Sequence, residues 1–226
     1  MIHSPFWKIP ASPLCCAGSI ARNRQHFSIV RHFLPHTRSF LRRRFIPFEE
    51  SELGGFYADK YIAIVESQGA FCYLTARALR ARTVVEFGTS FGLSTLWLAS
   101  AVRANGGGRV VTTEIIPDKA RIARRNFEEA GLSDLIEVRE GDAMHSLASD
   151  PSDIDLLLND GFPMRALDIV KLLTPRITPG GVVVTDDVGG LRGNYRDYLD
   201  HMRDRGNGFD SMLIPLKGGT EYSVRR

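Results

Sequence analysis

The amino-acid sequence predicts an α/β fold, with a doubly wound, mostly parallel sheet, helices on both faces and an antiparallel C-terminal hairpin. From about residue 83, apolar strand-like segments alternate with segments of helical periodicity. Continuous Val- and Leu-rich strands of this kind are typical of a parallel sheet covered on both faces. The last two strand-like segments are separated by a short stretch containing Gly218 and Gly219, which indicates a hairpin.

The individual elements follow in chain order. Residues 57–81 carry apolar side chains at helical spacing and predict one or two helices, with a break near Gly69. Pro117 and Gly131 mark the limits of a later helix, because proline suits a first turn and glycine an end. Strands are predicted at residues 83–88, 109–115, 135–141, 154–160 and 180–188, and helices at 92–104, 117–131 and 167–177. A last helix, YRDYLDHMRDRG, precedes the hairpin strands SMLIPLK and TEYSVRR.

Length and charge suggest one domain with an appendage. A chain of 226 residues with 43% hydrophobic content supports one sizeable core. Residues 1–48 contain Lys8 and seven arginines but no acid, a charge of +8. The remaining 21 basic and 26 acidic residues give −5, so the overall charge of +3 hides an asymmetry. We therefore expect a basic, disordered N-terminal extension at residues 1–48 and a folded domain at residues 49–226.

Three interpretations of the basic extension remain open. Arg- and Ser-rich segments poor in acids are typical of organelle transit peptides, whereas basic arms also contact RNA or anionic surfaces. The third interpretation is an extension without a function. We expect a cytoplasmic protein, or a mitochondrial one if the extension is a transit peptide.

Cysteine content and hydropathy exclude two further classes. Cys15, Cys16 and Cys72 have no zinc-like spacing, which favours free thiols in a reducing compartment. No apolar run approaches the roughly 20 residues that a membrane-spanning helix needs. We therefore expect neither a zinc site nor a membrane partner.

Carboxylates gather where the predicted strands end. Ligands of open α/β sheets bind outside the carboxyl ends of the strands, near the switch in strand order. Side chains so close together repel one another unless a cation or hydrogen-bond donors offset their charge. Asp142 alone has an ordinary explanation, because acids also cap helices. The strand-end residues are Glu86, Gly88, Glu114, Gly141, Asp142, Asp160, Asp186 and Asp187.

The loop after the first strand limits the classes of ligand that the site can bind. Its sequence, EFGTSFG, has glycines at 88 and 92 but lacks both the glycine at 90 that a dinucleotide loop requires and the lysine of a phosphate loop. An acid before the loop suits a ligand with an ammonium group. Ser94, at the start of the next helix, suits a ligand carboxylate. Glu114 ends the second strand, where a carboxylate binds ribose hydroxyls. Ammonium, carboxylate and ribose together describe S-adenosylmethionine (SAM).

The order of motifs resembles that of a known family. The segments VVEFGTSFGLSTLWLA, VVTTEIIPDKARIARRNFEEAGL, IEVREGDA, IDLLLNDG and ITPGGVVVTDDV are similar to the successive motifs of class I SAM-dependent O-methyltransferases. The branch they resemble is the catechol and caffeoyl-CoA type with its small bacterial relatives. The resemblance covers roughly residues 60–226 and implies a Rossmann-like, seven-stranded sheet. It also implies a homodimer as one option.

The resemblance implies a role for each strand-end residue. Glu86, Gly88 and Ser90 would surround the methionine part of SAM, and Ser94 would bind its carboxylate. Glu114 would hold the ribose. The adenine would lie among Ile115, Gly141, Asp142 and Ala143. Asp160, the implied catalytic residue, would stand between the cofactor and a metal ion held by Asp160, Asp186 and Asp187.

Two positions depart from the family pattern. Asp187 stands where the family often has asparagine, and Pro163 stands where members often have a lysine base. Lys171 and Arg165 are the nearest substitutes, but their spacing supports neither, and we assign no general base. Three carboxylates would suit Mg²⁺, a hard cation that prefers oxygen ligands.

The leading prediction is an O-methyltransferase that uses SAM and acts on a hydroxyl of a small, aromatic acceptor, with metal assistance left open. The alternatives are an RNA-modifying methyltransferase of the same fold, which the acidic body disfavours, and a non-catalytic SAM-binding protein. The acceptor pocket is expected at residues 50–66 and 188–196.

Other residues that invite a functional role have structural explanations. We expect His145 on the surface and Trp97 in the core. Tyr195, Tyr198 and Met202 are expected to form the buried stripe of the last helix, because their spacing is helical.

Overall fold

The computed structural model describes residues 34–48 and 55–226. Its helices are α1 (Thr37–Arg43), α2 (Glu66–Ala78), α3 (Leu93–Ala104), α4 (Pro117–Glu129), α5 (Ala143–Ser146), α6 (Ala166–Leu173) and α7 (Arg196–Arg203). Its strands are β1 (Thr83–Phe87), β2 (Arg109–Glu114), β3 (Ile136–Glu140), β4 (Ile154–Asn159), β5 (Ile177–Thr185), β6 (Phe209–Ile214) and β7 (Thr220–Arg225). Cys15 and Cys16 lie outside the described residues, and Cys72 is a buried free thiol.

The strands of the described residues form one seven-stranded sheet in the order β3-β2-β1-β4-β5-β7-β6. Strands β1 to β5 pair in parallel, and β7 runs antiparallel to both β5 and β6. The predicted α/β fold with an antiparallel C-terminal hairpin is therefore confirmed. The strand order reverses at β1, which lies between β2 and β4, and α/β sheets bind ligands at such a switch point.

Two apolar layers cover the sheet. On one face, Val85 and Leu157 pack with side chains of α6 and α7, such as Ile169. On the other face, Val84 and Leu156 pack with side chains of α2 and α3. Consecutive strand residues therefore point to opposite layers, and both layers are apolar, as the continuous hydrophobic strands predict.

Helix α2 is continuous, and the predicted break near Gly69 is wrong. Gly69 lies within the helix, where it faces the indole ring of Trp97 on α3. A Cβ atom at residue 69 would lie 2.3 Å from Nε1 of Trp97. The glycine therefore allows close helix packing and does not end the helix. Trp97 is 6% exposed, which confirms its predicted place in the core.

The last helices agree with the prediction apart from their limits. Tyr195, Tyr198 and Met202 are buried, which confirms the predicted apolar stripe. Helix α6 ends at Leu173, earlier than predicted, and a 3-10 turn at Thr174–Arg176 leads directly into β5. The early end is consistent with Pro175, because proline has no backbone N–H with which to continue the hydrogen bonds of the helix.

The N-terminal part of the described chain contacts the body of the molecule. Ile46 is buried, and its backbone bonds the side chain of Asn194, 148 residues further on. The disorder predicted for residues 1–48 falls largely outside the described residues, and the boundary after residue 48 stays a prediction. Among the described helices, none is long and apolar enough to cross a membrane.

Candidate active site

A cavity of about 1360 Å³ opens at the carboxyl ends of the parallel strands. Its walls come from the loops that follow β1, β2, β3, β4 and β5, together with residues of the described segments 46–48 and 57–64. The cavity is therefore at the switch point of the sheet, where the strand-end residues were predicted to meet. Of the predicted site residues, Gly88, Ser90, Ser94, Glu114, Ile115, Gly141, Asp142, Ala143, Asp160, Asp186 and Asp187 line this cavity.

The loop after β1 brings its backbone against the loop after β4. Gly88 has φ of +100°, a conformation that glycine adopts far more readily than other residues. A Cβ atom there would lie 2.8 Å from the carbonyl oxygen of Asp160. Ser90 also has a positive φ, of 49°, and its buried Oγ has no hydrogen-bond partner within the described residues. Strain and an unsatisfied hydroxyl on one loop are typical of a ligand site.

Glu114 closes one end of the cavity and holds the same loop. Its Oε2 accepts a hydrogen bond from the backbone N–H of Ser90 at 2.7 Å, and its Oε1 accepts one from that of Ile116 at 2.9 Å. The side chain is 7% exposed, and burial raises its pKa above the ordinary value. Each oxygen keeps a further lone pair. Glu114 can therefore accept hydrogen bonds from ligand hydroxyls in the cavity.

Glu86 does not line the cavity, unlike the other predicted cofactor residues. It is fully buried beneath the loop, and its Oε2 accepts hydrogen bonds from the hydroxyls of Thr95 and Thr112. Burial raises its pKa to about 7. The carboxyl group joins α3 to β2 below the ligand loop. The structure thus gives Glu86 a supporting position where the resemblance implied a direct contact.

The remaining predicted cofactor residues lie around the end of the cavity near β2 and β3. Ser94 is buried at the start of α3. Ile115 is 47% exposed, which leaves an apolar surface for a flat ring to pack on. Asp142 caps α5 by accepting a hydrogen bond from the backbone N–H of Met144 at 2.9 Å. Its carboxylate is therefore partly committed to the helix, as the capping explanation anticipated.

Carboxylates also meet at the ends of β4 and β5. Burial, followed by the charge of Asp187, raises the pKa of Asp186 to about 6. Burial and the nearby charge of Asp186 raise the pKa of Asp160 well above its usual range. These shifts mean that a cation beside the two groups would be strongly favoured.

The geometry nevertheless differs from the predicted metal site. Oδ1 of Asp186 already accepts hydrogen bonds from Nε2 of Gln68 at 2.5 Å and from the hydroxyl of Thr220 at 3.1 Å. Oδ1 of Asp187 lies against Gly218, where a Cβ atom would be only 1.8 Å away. Within residues 34–48 and 55–226, no group of three metal-ligating side chains is arranged to hold an ion. The residues as placed do not fit Mg²⁺.

The position of the family lysine contains no titratable group. Pro163 is buried and opens the 3-10 turn Pro163–Arg165. Arg165 lines the cavity, but a guanidinium remains protonated and cannot accept a proton. Lys171 is exposed on α6 and does not line the cavity. His145 is exposed as predicted, with 91% of its side chain accessible.

An aromatic wall, which sequence reasoning missed in part, closes the other end of the cavity. The rings of Phe48 and Phe162 meet edge to face at 5.9 Å, and those of Tyr57 and Phe162 meet at 5.1 Å. Such pairs are typical of packed aromatic clusters. Ile46 and Leu191 extend this apolar surface. The predicted pocket segments, 50–66 and 188–196, include Tyr57 and Leu191 but not Ile46, Phe48 or Phe162.

Comparisons with known proteins identify similar sequences and structures. Residues 85–188 match a family described as a methyltransferase domain. The chain is 38% identical over 130 residues to the catechol O-methyltransferase of Mycobacterium tuberculosis, covering 56% of this chain and 57% of that protein. It is 32% identical over 133 residues to the catechol O-methyltransferase of Niastella koreensis. The match spans little more than half the length of these curated relatives.

Solved structures show the same arrangement over more of the chain. Cofactor-bound Rv0187 from MTB has a TM-score of 0.69 and 28% identity, covering 85% of this chain and 97% of that one. The O-methyltransferase from Bacillus cereus, in complex with SAH, has a TM-score of 0.67 and 26% identity, covering 80% and 93%. Over residues 85–188 this chain is thus similar to a methyltransferase domain, and its fold is similar to that of a solved O-methyltransferase. The resemblance to class I SAM-dependent O-methyltransferases, predicted from the motifs, is confirmed.

Proposed function

We propose that this protein transfers a methyl group from SAM to a hydroxyl of a small aromatic acceptor. The observation that carries the proposal is the division of one cavity into two unlike halves. The half near β1, β2 and β3 presents Glu114, Ser90 and the exposed Ile115, whereas the half near β4 and β5 presents three carboxyl groups together with the aromatic wall. Asp160 lies at the junction of the two halves.

The polar half fits the chemistry of the cofactor. The free lone pairs of Glu114 suit ribose hydroxyls, and the unsatisfied hydroxyl of Ser90 suits a polar group of the methionine part. Ser94 at the start of α3 suits a carboxylate, because the N-terminal end of a helix favours negative charge. When bound, SAM would supply a methyl group on a positively charged sulfur. The S–CH3 bond would break as the O–CH3 bond forms, leaving a neutral thioether, and the hydroxyl proton would pass to solvent.

The carboxyl groups at the junction favour both the cofactor and the reaction. Asp160 and Asp186 repel each other in a buried site, so a cationic ligand beside them is stabilised. A carboxylate with a raised pKa is also a better hydrogen-bond acceptor for an acceptor hydroxyl. We propose that Asp160 orients that hydroxyl. Orientation contributes to catalysis even without proton transfer, because it aligns the reacting atoms.

The aromatic half supports the choice of acceptor. These edge-to-face rings form an apolar wall against which the ring of an acceptor can pack. Two sequence relatives carry the name catechol O-methyltransferase, and a catechol is a single benzene ring with two adjacent hydroxyl groups. A small phenolic ring is therefore the acceptor class that this half of the cavity suits best.

The test is incubation of the purified protein with isotopically labelled SAM and a panel of catechols and simple phenols, with products detected by mass spectrometry. We expect methylated products from wild-type protein. In Asp160→Asn we expect a large loss of turnover together with weaker SAM binding, because the variant removes one of the two carboxyl groups that stabilise the cation. The result that overturns the proposal is tight SAM binding without transfer to any member of the panel, which would favour a non-catalytic SAM-binding protein.

Parallel reactions with added Mg²⁺ and with EDTA test metal assistance. The metal set predicted at Asp160, Asp186 and Asp187 stays a prediction. Turnover that EDTA leaves unchanged would remove it, and turnover that EDTA abolishes and Mg²⁺ restores would require these side chains to rearrange. The alternative of RNA modification would rest on the basic residues of 1–48, of which residues 1–33 lie outside the described chain.

A further inference from the structure

A short segment ahead of the methyltransferase domain is fixed against the cavity. Residues 44–48, which we name the strap, follow α1 and run alongside the loop between β5 and α7. The backbone N–H of Ile46 donates to Oδ1 of Asn194 at 2.9 Å, and Nδ2 of Asn194 donates to the carbonyl of Ile46 at 2.5 Å. One side chain therefore satisfies both backbone groups of a strap residue, as a neighbouring β-strand would.

A second contact, next to the first, joins two backbones. The N–H of Gly193 donates to the carbonyl of Arg44 at 3.0 Å. A Cβ atom at residue 193 would lie 2.3 Å from the carbonyl oxygen of Arg43 and 2.9 Å from Cβ of Phe45. Glycine at this position is thus required for the strap to approach as closely as it does.

The strap also contributes side chains to the cavity. Ile46 is 9% exposed and lines the cavity with Phe48. Phe48 contacts the ring of Phe162, from the loop after β4, and Leu191 belongs to the loop that carries Asn194. Three separate parts of the chain therefore converge on the aromatic half, and Asn194 joins two of them.

We propose that the strap is a wall of the acceptor compartment and that Asn194 is the positioning residue that holds it there. This inference rests on the proposed function and deepens it. It assigns binding of the acceptor ring to residues that precede the methyltransferase domain match. Loss of the Asn194 contacts releases Ile46 and Phe48 from the cavity wall. The half that binds SAM contains no strap residue and is left intact.

The experiment compares Asn194→Ala with Asn105→Ala. Asn105 is a matched control, because its side chain also makes two backbone hydrogen bonds, to the carbonyls of Ala76 and Ala81, away from the cavity. For Asn194→Ala we expect the KM for the best catechol to rise about tenfold or more, as expected for release of well-packed contacts. The Kd for SAM, measured by calorimetry, should remain within about twofold, because no contact in that half is altered.

Limited trypsin digestion reports on the strap without any turnover. The bond after Arg44 should be cut at least about fivefold faster in Asn194→Ala than in wild type, because local opening exposes it. Asn105→Ala should leave that rate unchanged. Phe48→Ala serves as a second variant that keeps the hydrogen bonds between Asn194 and Ile46. It should raise the KM for the catechol without accelerating cleavage after Arg44.

Three other results would each contradict one part of the proposal. Equal cleavage rates in wild type and Asn194→Ala would show that Asn194 does not hold the strap. Faster cleavage with an unchanged KM would show that the strap is no wall of the acceptor site. Wild-type protein that neither methylates nor binds any catechol would overturn the proposed function and, with it, the role of the strap in acceptor binding. The digestion would still decide whether Asn194 holds the strap in place.

Discussion

Replacement of Glu114 by alanine gives the sharpest test of the cofactor site. The native carboxylate is 7% exposed and accepts backbone hydrogen bonds from Ser90 and Ile116. Those two bonds are present without a ligand, so their loss mainly affects the loop. The proposed ribose contact exists only in the complex. A hydrogen bond to a charged group is worth about 1.5–3 kcal/mol, and its loss predicts a Kd for SAM that rises at least about tenfold.

The assay is isothermal titration of SAM into wild type and Glu114→Ala at one pH and salt concentration. Glu140→Ala provides the matched control, because Glu140 occupies the register position paired with Glu114 on the neighbouring strand. Its side chain is 43% exposed and pairs with Arg124 on the surface. An exposed ion pair contributes at most about 1 kcal/mol, so we expect a Kd within about twofold of wild type.

One outcome would refute the reasoning. If Glu114→Ala keeps the circular dichroism spectrum of wild type and still binds SAM within about twofold, the carboxylate makes no ribose contact. The cofactor would then have to lie elsewhere in the cavity.

Three further predictions concern the loop, the core and pH. Burial raises the pKa of Glu86 to about 7, so the native state holds a proton that the unfolded state has lost. The free energy of unfolding should therefore fall as pH rises from about 5 to about 7, and Glu86→Gln should flatten this part of the profile in urea titrations. Gly69→Ala drives a methyl group into Trp97 and should lower the free energy of unfolding by about 1–3 kcal/mol, with altered tryptophan fluorescence; unchanged stability would contradict the packing described. Gly88→Ala combines a strained φ with a clash against Asp160, and should destabilise the protein by about 1–3 kcal/mol and weaken SAM binding, both measurable by thermal shift.

Local sequence rules predicted the parallel part of the fold because each element there carries its own signal. Strand β1 begins at Thr83 as predicted, and α3 begins within one residue of the prediction, after Gly92. The break expected at Gly69 was wrong because a local rule cannot see Trp97, which arrives from the next helix. The order of the strands along the sheet is a property of the whole chain and follows from no single segment.

The candidate site was likewise predicted only in part from the sequence. Residues at strand ends were predicted to share one edge, and all of them except Glu86 line the cavity. Sequence alone could not tell that Glu86 points beneath the loop, because its neighbours Thr95 and Thr112 are supplied by two other elements. The aromatic wall was missed in part because Phe48 and Phe162 are 114 positions apart in the sequence.

The position of β7 has a consequence for biosynthesis. This strand is the last of the described sheet in sequence, yet it lies between β5 and β6, and β6 pairs with no other strand of residues 34–48 and 55–226. At about 5–20 residues per second, a ribosome finishes the parallel strands well before residues 220–225 emerge. Until then the outer edge of β5 is unpaired and open to wrong partners. The nascent sheet therefore depends on residues 220–225 to pair with the exposed edge of β5.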